Sequence, residues 1–163
     1  MAVTCKLNTS ETQQRFRDTS KGCQSGSVNL TLKQCHEIYV FEQAYDEFVK
    51  WAGREYYIFC QGRTPAANKA VGGNSSSNHL RLLARDTYFK GVTWTEERII
   101  KYMRKWKEIS QKHGFIGECG FYKNYKYNGC TGMMHIGGFI TYSKTFTNWM
   151  TDSKGQHNQY YKL

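Results

Sequence analysis

The sequence predicts an α+β domain, a small antiparallel sheet flanked by helices. Three observations predict it. Two long segments repeat apolar residues at three- and four-residue spacing, and four short runs are dense in aromatic and aliphatic residues. The last two of these runs also follow one another without an intervening helix, whereas a doubly wound parallel sheet needs helical crossovers. The length of 163 residues fits one domain, since domains usually run to about 100–200 residues. An apolar fraction of 39% and an aromatic fraction of 15% favour a packed globule. No apolar run approaches the roughly 18 residues of a membrane span, so none is expected.

Residues 1–29 are polar, carry the turn-rich "DTSKGCQSGS" and show no sustained period; they are read as an irregular N-terminal arm. Residues 30–163 are read as a single domain. From Leu30 onward, Leu32, Cys35, Ile38, Tyr39, Tyr45, Phe48, Val49 and Ala52 form the stripe of an amphipathic helix that ends near Gly53. "EYYIFCQ" (55–61) reads as a buried strand. Pro65 then stands at a helix-start position, with Gly72 and Gly73 where a short helix would end, and "GGNSSSN" must be a loop. "LLARDTYF" (82–89) reads as a second strand.

The segment 93–114 reads as a helix of about five turns. Thr93 and Glu96 have capping-box spacing, Ile99, Met103, Trp106 and Ile109 or Ser110 lie along one side, and Gly114 supplies the stop. "FIGECGFY" (115–122) and "MMHIGGFITYS" (133–143) read as antiparallel strands joined by the basic, tyrosine-rich "KNYKYNGCTG". The tail from Lys144 is expected to be loop.

The formal charge of +10 favours a polyanionic partner, whether nucleic acid, an anionic lipid surface or bacterial cell wall. The start "MAVTCKLNTSETQQRF" lacks the pattern of a secretory signal, so synthesis in the cytoplasm is expected. Six cysteines, Cys5, Cys23, Cys35, Cys60, Cys119 and Cys130, show no C-x-x-C pair, and their spacing gives no disulfide framework. Cys35 and Cys60 read as core residues.

The chemistry concentrates in "GRTPAANKAVGGNSSSNHLRLLARD" (62–86), which holds the only proline. His79 and Asp86 bracket "LRLLAR", and His135 lies in a later predicted strand. Two imidazoles and one carboxylate are a set that zinc accepts, with a fourth position left open, as a catalytic site needs.

The stretch resembles the zinc peptidases of the D-Ala-D-Ala carboxypeptidase and L-alanyl-D-glutamate endopeptidase family, whose fold is hedgehog-like. Their first motif is Arg-Ser/Thr-Pro-x-x-Asn-x-x-Val-Gly-Gly, matched by Arg63, Thr64, Pro65, Asn68, Val71, Gly72 and Gly73. The second, Ser-x-His-x-x-Gly-x-Ala-x-Asp, is matched by Ser77, His79, Ala84 and Asp86, and the last, Trp-x-His-Ile/Val, by His135 and Ile136. The resemblance implies a zinc cofactor held by His79, Asp86 and His135, and hydrolysis of a peptide bond in bacterial peptidoglycan by water that the metal activates. It implies that Arg63 binds a developing oxyanion or a substrate carboxylate; Ser77 itself reads as loop support through a side-chain hydrogen bond to backbone and not as a nucleophile.

Two positions depart from the pattern. The family glycine three residues after the first histidine is Leu82. The carboxylate three residues before the last histidine, which serves the family as general base, is Gly132. Glu118 is the nearest upstream acid and the candidate replacement; Asp152 is a poorer one. A monomeric enzyme acting at the cell wall, of the kind bacteriophages use as lysins, is the expectation. The alternatives are a zinc-binding wall protein without catalysis and a basic nucleic-acid-binding module built on "FYKNYKYNG", although no known nucleic-acid motif appears. His36, His113 and His157 carry no site pattern.

Overall fold

The computed structural model of the chain describes residues 4–6, 29–63, 65–151 and 161–163. Within the arm, strand β1 (Thr4–Lys6) pairs antiparallel with β2 (Asn29–Thr31), and the rest of the arm lies outside the described residues. Helix α1 (Leu32–Ala52) follows and stops at Gly53, whose φ of +60° suits a residue without a Cβ. Ile38, Phe41, Ala44, Tyr45, Phe48 and Val49 form its buried stripe.

Helix α2 (Pro65–Ala70) starts on the proline, as expected. Helix α3 (Glu96–Lys112) buries Ile99, Tyr102, Met103, Trp106, Ile109 and Ser110. Its cap is Thr95 and not the expected Thr93: the Thr95 hydroxyl accepts from the Arg98 amide at 3.2 Å, while the Thr93 carbonyl takes the Arg98 guanidinium. The helix begins one residue after Thr95, and Glu96 and Glu97 in the first turn complement its dipole.

The strands β3 (Tyr56–Cys60), β4 (Ala84–Phe89), β5 (Glu118–Tyr127), β6 (Cys130–Gly137) and β7 (Thr147–Thr151) form one sheet in the order β3-β4-β6-β5-β7. Neighbours are antiparallel except β5 and β7, which are parallel. The fold is α+β, with a mixed sheet instead of a purely antiparallel one. Strands β5 and β6 extend into the segment expected to be a linker. Asn128 and Gly129, at φ +46° and +77°, make the tight turn that their dipeptide favours. Strand β7 falls in the tail expected to be loop. Asn148 anchors it there, accepting from the Tyr161 amide at 2.7 Å and donating to the Tyr161 carbonyl at 3.0 Å.

Helices α1 and α3 cover one face of the sheet. Phe48 on α1 meets Trp106 on α3 at 5.6 Å and Phe89 on β4 at 6.1 Å between ring centroids, and the Trp106 indole donates to the Gly137 carbonyl at 2.9 Å. Because side chains alternate across a strand, Arg85, Thr87 and Phe89 enter this core while Asp86 and Tyr88 point to the other face. The pairing register lines up Cys60, Asp86, His135, Gly120 and Trp149 as a single row across all five strands.

Candidate metal centre

The loop that delivers His79 is built from its own sequence. The Gly72 backbone at φ +71° closes α2, and a Cβ on Gly73 would stand 2.2 Å from Asn68 Oδ1, so only glycine fits against that side chain. Asn68 in turn donates to the Asn74 carbonyl at 2.8 Å. Ser77 caps the single 3-10 turn Asn78–Arg81, its hydroxyl accepting from the His79 amide at 3.4 Å. The chain then turns through Leu82 at φ +62° into β4. That left-handed conformation is one a glycine takes freely and a leucine takes at a cost of roughly 1–2 kcal/mol.

The ring nitrogens of the two histidines are assigned by their outer partners. His79 Nδ1 lies 3.0 Å from the Gln61 carbonyl, which can only accept, so the proton sits there and the Nε2 lone pair is free to face inward. His135 Nε2 donates to Glu118 Oε1 at 2.9 Å, which leaves Nδ1 facing the same point. His79 Nε2 is 3.2 Å from Asp86 Oδ1 and 3.2 Å from His135 Nδ1, and the third side of the triangle, His135 Nδ1 to Asp86 Oδ1, is 3.0 Å. A tetrahedral ion with bonds of about 2.0 Å separates its ligand atoms by about 3.3 Å. The triangle therefore has the size of one face of such a tetrahedron.

A looser set overlaps it: Cys60 Sγ lies with ligand atoms of His79 and Asp86, all within 4.8 Å of one another. Cys60, however, is disulfide-bonded, as is Cys35, so its sulfur has no thiolate to offer. The His79–Asp86–His135 triangle is the tighter and chemically competent set. Cys60 is buried and Cys35 packs against the core, as expected, and both are in addition disulfide-bonded, which sequence spacing does not reveal. Cys119 and Cys130 are free and buried.

Glu118 is buried and fully engaged. Its Oε1 accepts from His135 and, at 2.8 Å, from Asn78 Nδ2, and its Oε2 accepts from the Tyr142 hydroxyl. Glycines make the room. A Cβ on Gly137 would lie 2.5 Å from Glu118 Oε1, and one on Gly120 would lie 2.2 Å from the Trp149 ring, which rests 5.3 Å from the His135 ring. Arg63 Nη2 reaches the outer oxygen of Asp86 at 3.1 Å, and the Arg63 amide donates to the His79 carbonyl at 3.1 Å.

The buried charges hold one another in place. Burial pushes the Asp86 carboxyl upward, but the charge of His79 and the hydrogen bonds of His135 and His79 outweigh it and leave it well below the usual carboxylate range. Burial likewise raises Glu118, and the His135 bond and charge, followed by Tyr142 and Asn78, bring it below its ordinary value. For His135, burial pulls the imidazolium down, yet the bonds and charges of Asp86 and Glu118 prevail and raise it to about 9. His79 goes the other way: burial outweighs the pull of Asp86 and lowers it from the ordinary histidine value.

The structure thus brings together His79, Asp86 and His135, sets Arg63 on Asp86 and Glu118 on His135, and places Ser77 under the loop. Asp152 and His157 lie outside the described residues. His36 is exposed, and His113 bonds Glu47 at 2.9 Å. At Gly132, where the family pattern has its acid, φ is +87° and a Cβ would lie 2.6 Å from the Phe121 ring and 2.7 Å from that of Trp94. That position faces the helix-covered core, so a carboxylate there would point away from the triangle. Sequence reasoning missed Gln61, Asn78, Tyr142 and Trp149. None of them belongs to a spaced motif, and only the fold makes them neighbours of the site.

No curated protein and no solved structure matches the chain. A family model does. The match includes His79, Asp86 and Glu118 and stops before His135. That model is described as Peptidase M15 and matches residues 5–126, more than half of the chain, which therefore belongs to this peptidase family.

Proposed function

We propose that this protein is a zinc peptidase that hydrolyses a peptide bond in the stem or cross-link of bacterial peptidoglycan. The observation that carries the reading is the triangle of His79 Nε2, Asp86 Oδ1 and His135 Nδ1, with sides of 3.0–3.2 Å, in a chain of a peptidase family. Bound there, zinc supplies a Lewis acid for the scissile carbonyl and brings the pKa of water toward neutrality.

The chain's own side chains do the rest. Gln61 and Glu118 fix the two imidazole tautomers, and Trp149 packs beside His135. Arg63 neutralises the outer oxygen of Asp86, and its Nε, which has no partner among the described residues, remains to bind a substrate carboxylate or the developing oxyanion. The charge of +10 suits a wall polymer rich in carboxylates and phosphates, and the disulfides suit action outside a reducing cytoplasm, at the cell wall. Among the described residues no helix is long and apolar enough to cross a membrane.

Digestion of purified peptidoglycan followed by mass spectrometry of released peptides tests the proposal. Products that disappear with a chelator and return with zinc are expected; an unchanged peptide pattern with zinc-loaded protein contradicts hydrolysis. One observation favours a second reading, a zinc-binding wall protein without catalysis: Asn78, His135 and Tyr142 occupy both oxygens of Glu118, the acid best placed to serve as base. In that case the protein retains zinc and wall affinity and releases nothing.

A further inference from the structure

Cys60 is the one member of the site-facing row that the peptidase reading leaves without a part. It stands directly across from Asp86 in the β3–β4 pairing, is almost fully buried, and its sulfur lies with His79 and Asp86 ligand atoms, all within 4.8 Å of one another. Cross-strand partners project from the same face of a sheet, so Cys60 approaches the triangle from the side opposite His135. We infer that Cys60 is a latent fourth metal ligand, masked by its disulfide, and that reduction converts an open three-ligand centre into a closed four-ligand one. The inference rests on the metal reading above.

Geometry permits the conversion. With Zn–S near 2.3 Å and Zn–N near 2.0 Å, sulfur and nitrogen ligands of a tetrahedral ion lie about 3.5 Å apart, so a sulfur 4.8 Å from a ligand atom has to advance by roughly 1.3 Å to join the same ion. The disulfide prevents this by occupying the sulfur. A dithiol reductant delivers two electrons and two protons: the S–S bond at Cys60 breaks, both cysteines become thiols, and the reductant closes to its own disulfide. As the Cys60 sulfur joins the metal, its proton passes to solvent. A centre with four protein ligands has no position left for water or substrate, the arrangement of structural zinc sites. The centre would thus be open in an oxidising compartment and shut in a reducing one, where this wall-directed hydrolase would be made.

Cobalt(II) in place of zinc gives a direct optical readout. In the full-length oxidised protein, cobalt should show d–d bands of a four-coordinate site without thiolate-to-metal charge transfer. After reduction with a phosphine, which adds no competing thiol, a near-ultraviolet charge-transfer band should appear, and it should be absent from reduced Cys60→Ser. In wild type, alkylation with iodoacetamide and peptide mapping after reduction should find Cys60 protected at least about tenfold by zinc, a result that needs no variant to fold. Equal alkylation of Cys60 with and without zinc, or no charge-transfer band in reduced wild type, overturns the inference and leaves the open centre standing. A band that persists in reduced Cys60→Ser also overturns it, since another cysteine then holds the metal. Absence of any cobalt spectrum in both redox states overturns the metal reading itself.

Discussion

Replacing Glu118 by glutamine separates two roles that one carboxylate could play. Glutamine can keep its amide oxygen where Oε1 now accepts from Asn78 at 2.8 Å and from His135 at 2.9 Å, and turn its NH2 toward a Tyr142 hydroxyl that rotates to accept. Shape and hydrogen bonds survive, and the change reduces to the loss of one negative charge behind His135. A carboxylate behind a ligating imidazole is typically worth 10–100-fold in metal affinity, or about 1.4–2.7 kcal/mol. Folding should suffer less, by about 1 kcal/mol, since charge-assisted bonds become neutral ones. Glu118→Ala, by contrast, strands two buried donors at about 1–3 kcal/mol each and should melt markedly earlier. Competition against a chromophoric zinc chelator measures the affinity and a thermal melt the stability. If Glu118→Gln binds zinc within twofold of wild type while peptide release is lost, Glu118 acts on substrate or water, and its assignment as a positioning residue is refuted.

Gly120→Ala should destabilise the fold by about 1–3 kcal/mol, because the new methyl overlaps the Trp149 ring at 2.2 Å, and denaturant melts will read it. Gly132→Asp should not create a working base: its carboxylate would be driven toward Phe121 and Trp94, so lower stability with no gain in hydrolysis is expected, and any gain would contradict the placement. With metal removed by chelator, His135 titrates near 9 in the fold against about 6.5 in the unfolded chain, so its contribution is complete below pH 6.5 and is lost as pH rises through about 9. Chelated protein should therefore melt earlier at pH 8.5 than at pH 6.5, whereas zinc, which takes the proton's place, should flatten that slope; a rise for the chelated protein would be the wrong sign.

The sequence made some of this legible because local rules suffice for it. The apolar stripes of α1 and α3, the proline start of α2 and the glycine stops follow from helical period and backbone freedom, and they lie where those rules put them, except that Tyr39, expected in the α1 stripe, is exposed. The loop from Arg63 to Asp86 was readable as a spaced motif, and the left-handed backbone at Leu82 suits the glycine that the resembled motif has there. The rest depends on register, which no local window encodes. Strand β7 pairs in parallel with β5 from 29 residues downstream, as the Glu118–Thr147 partnership shows, and a hairpin count does not anticipate it. That Glu118 would lie behind His135, and that Cys60 would face Asp86, follows only once four strands are aligned.

Anomalous diffraction at the zinc edge from crystals of the oxidised protein examines the convergence of the three ligands most directly. The account predicts one strong peak about 2.0–2.1 Å from each of His79 Nε2, Asp86 Oδ1 and His135 Nδ1, with Cys60 still in its disulfide. A peak elsewhere, or one bonded to His79 and Asp86 but beyond reach of His135, would contradict it.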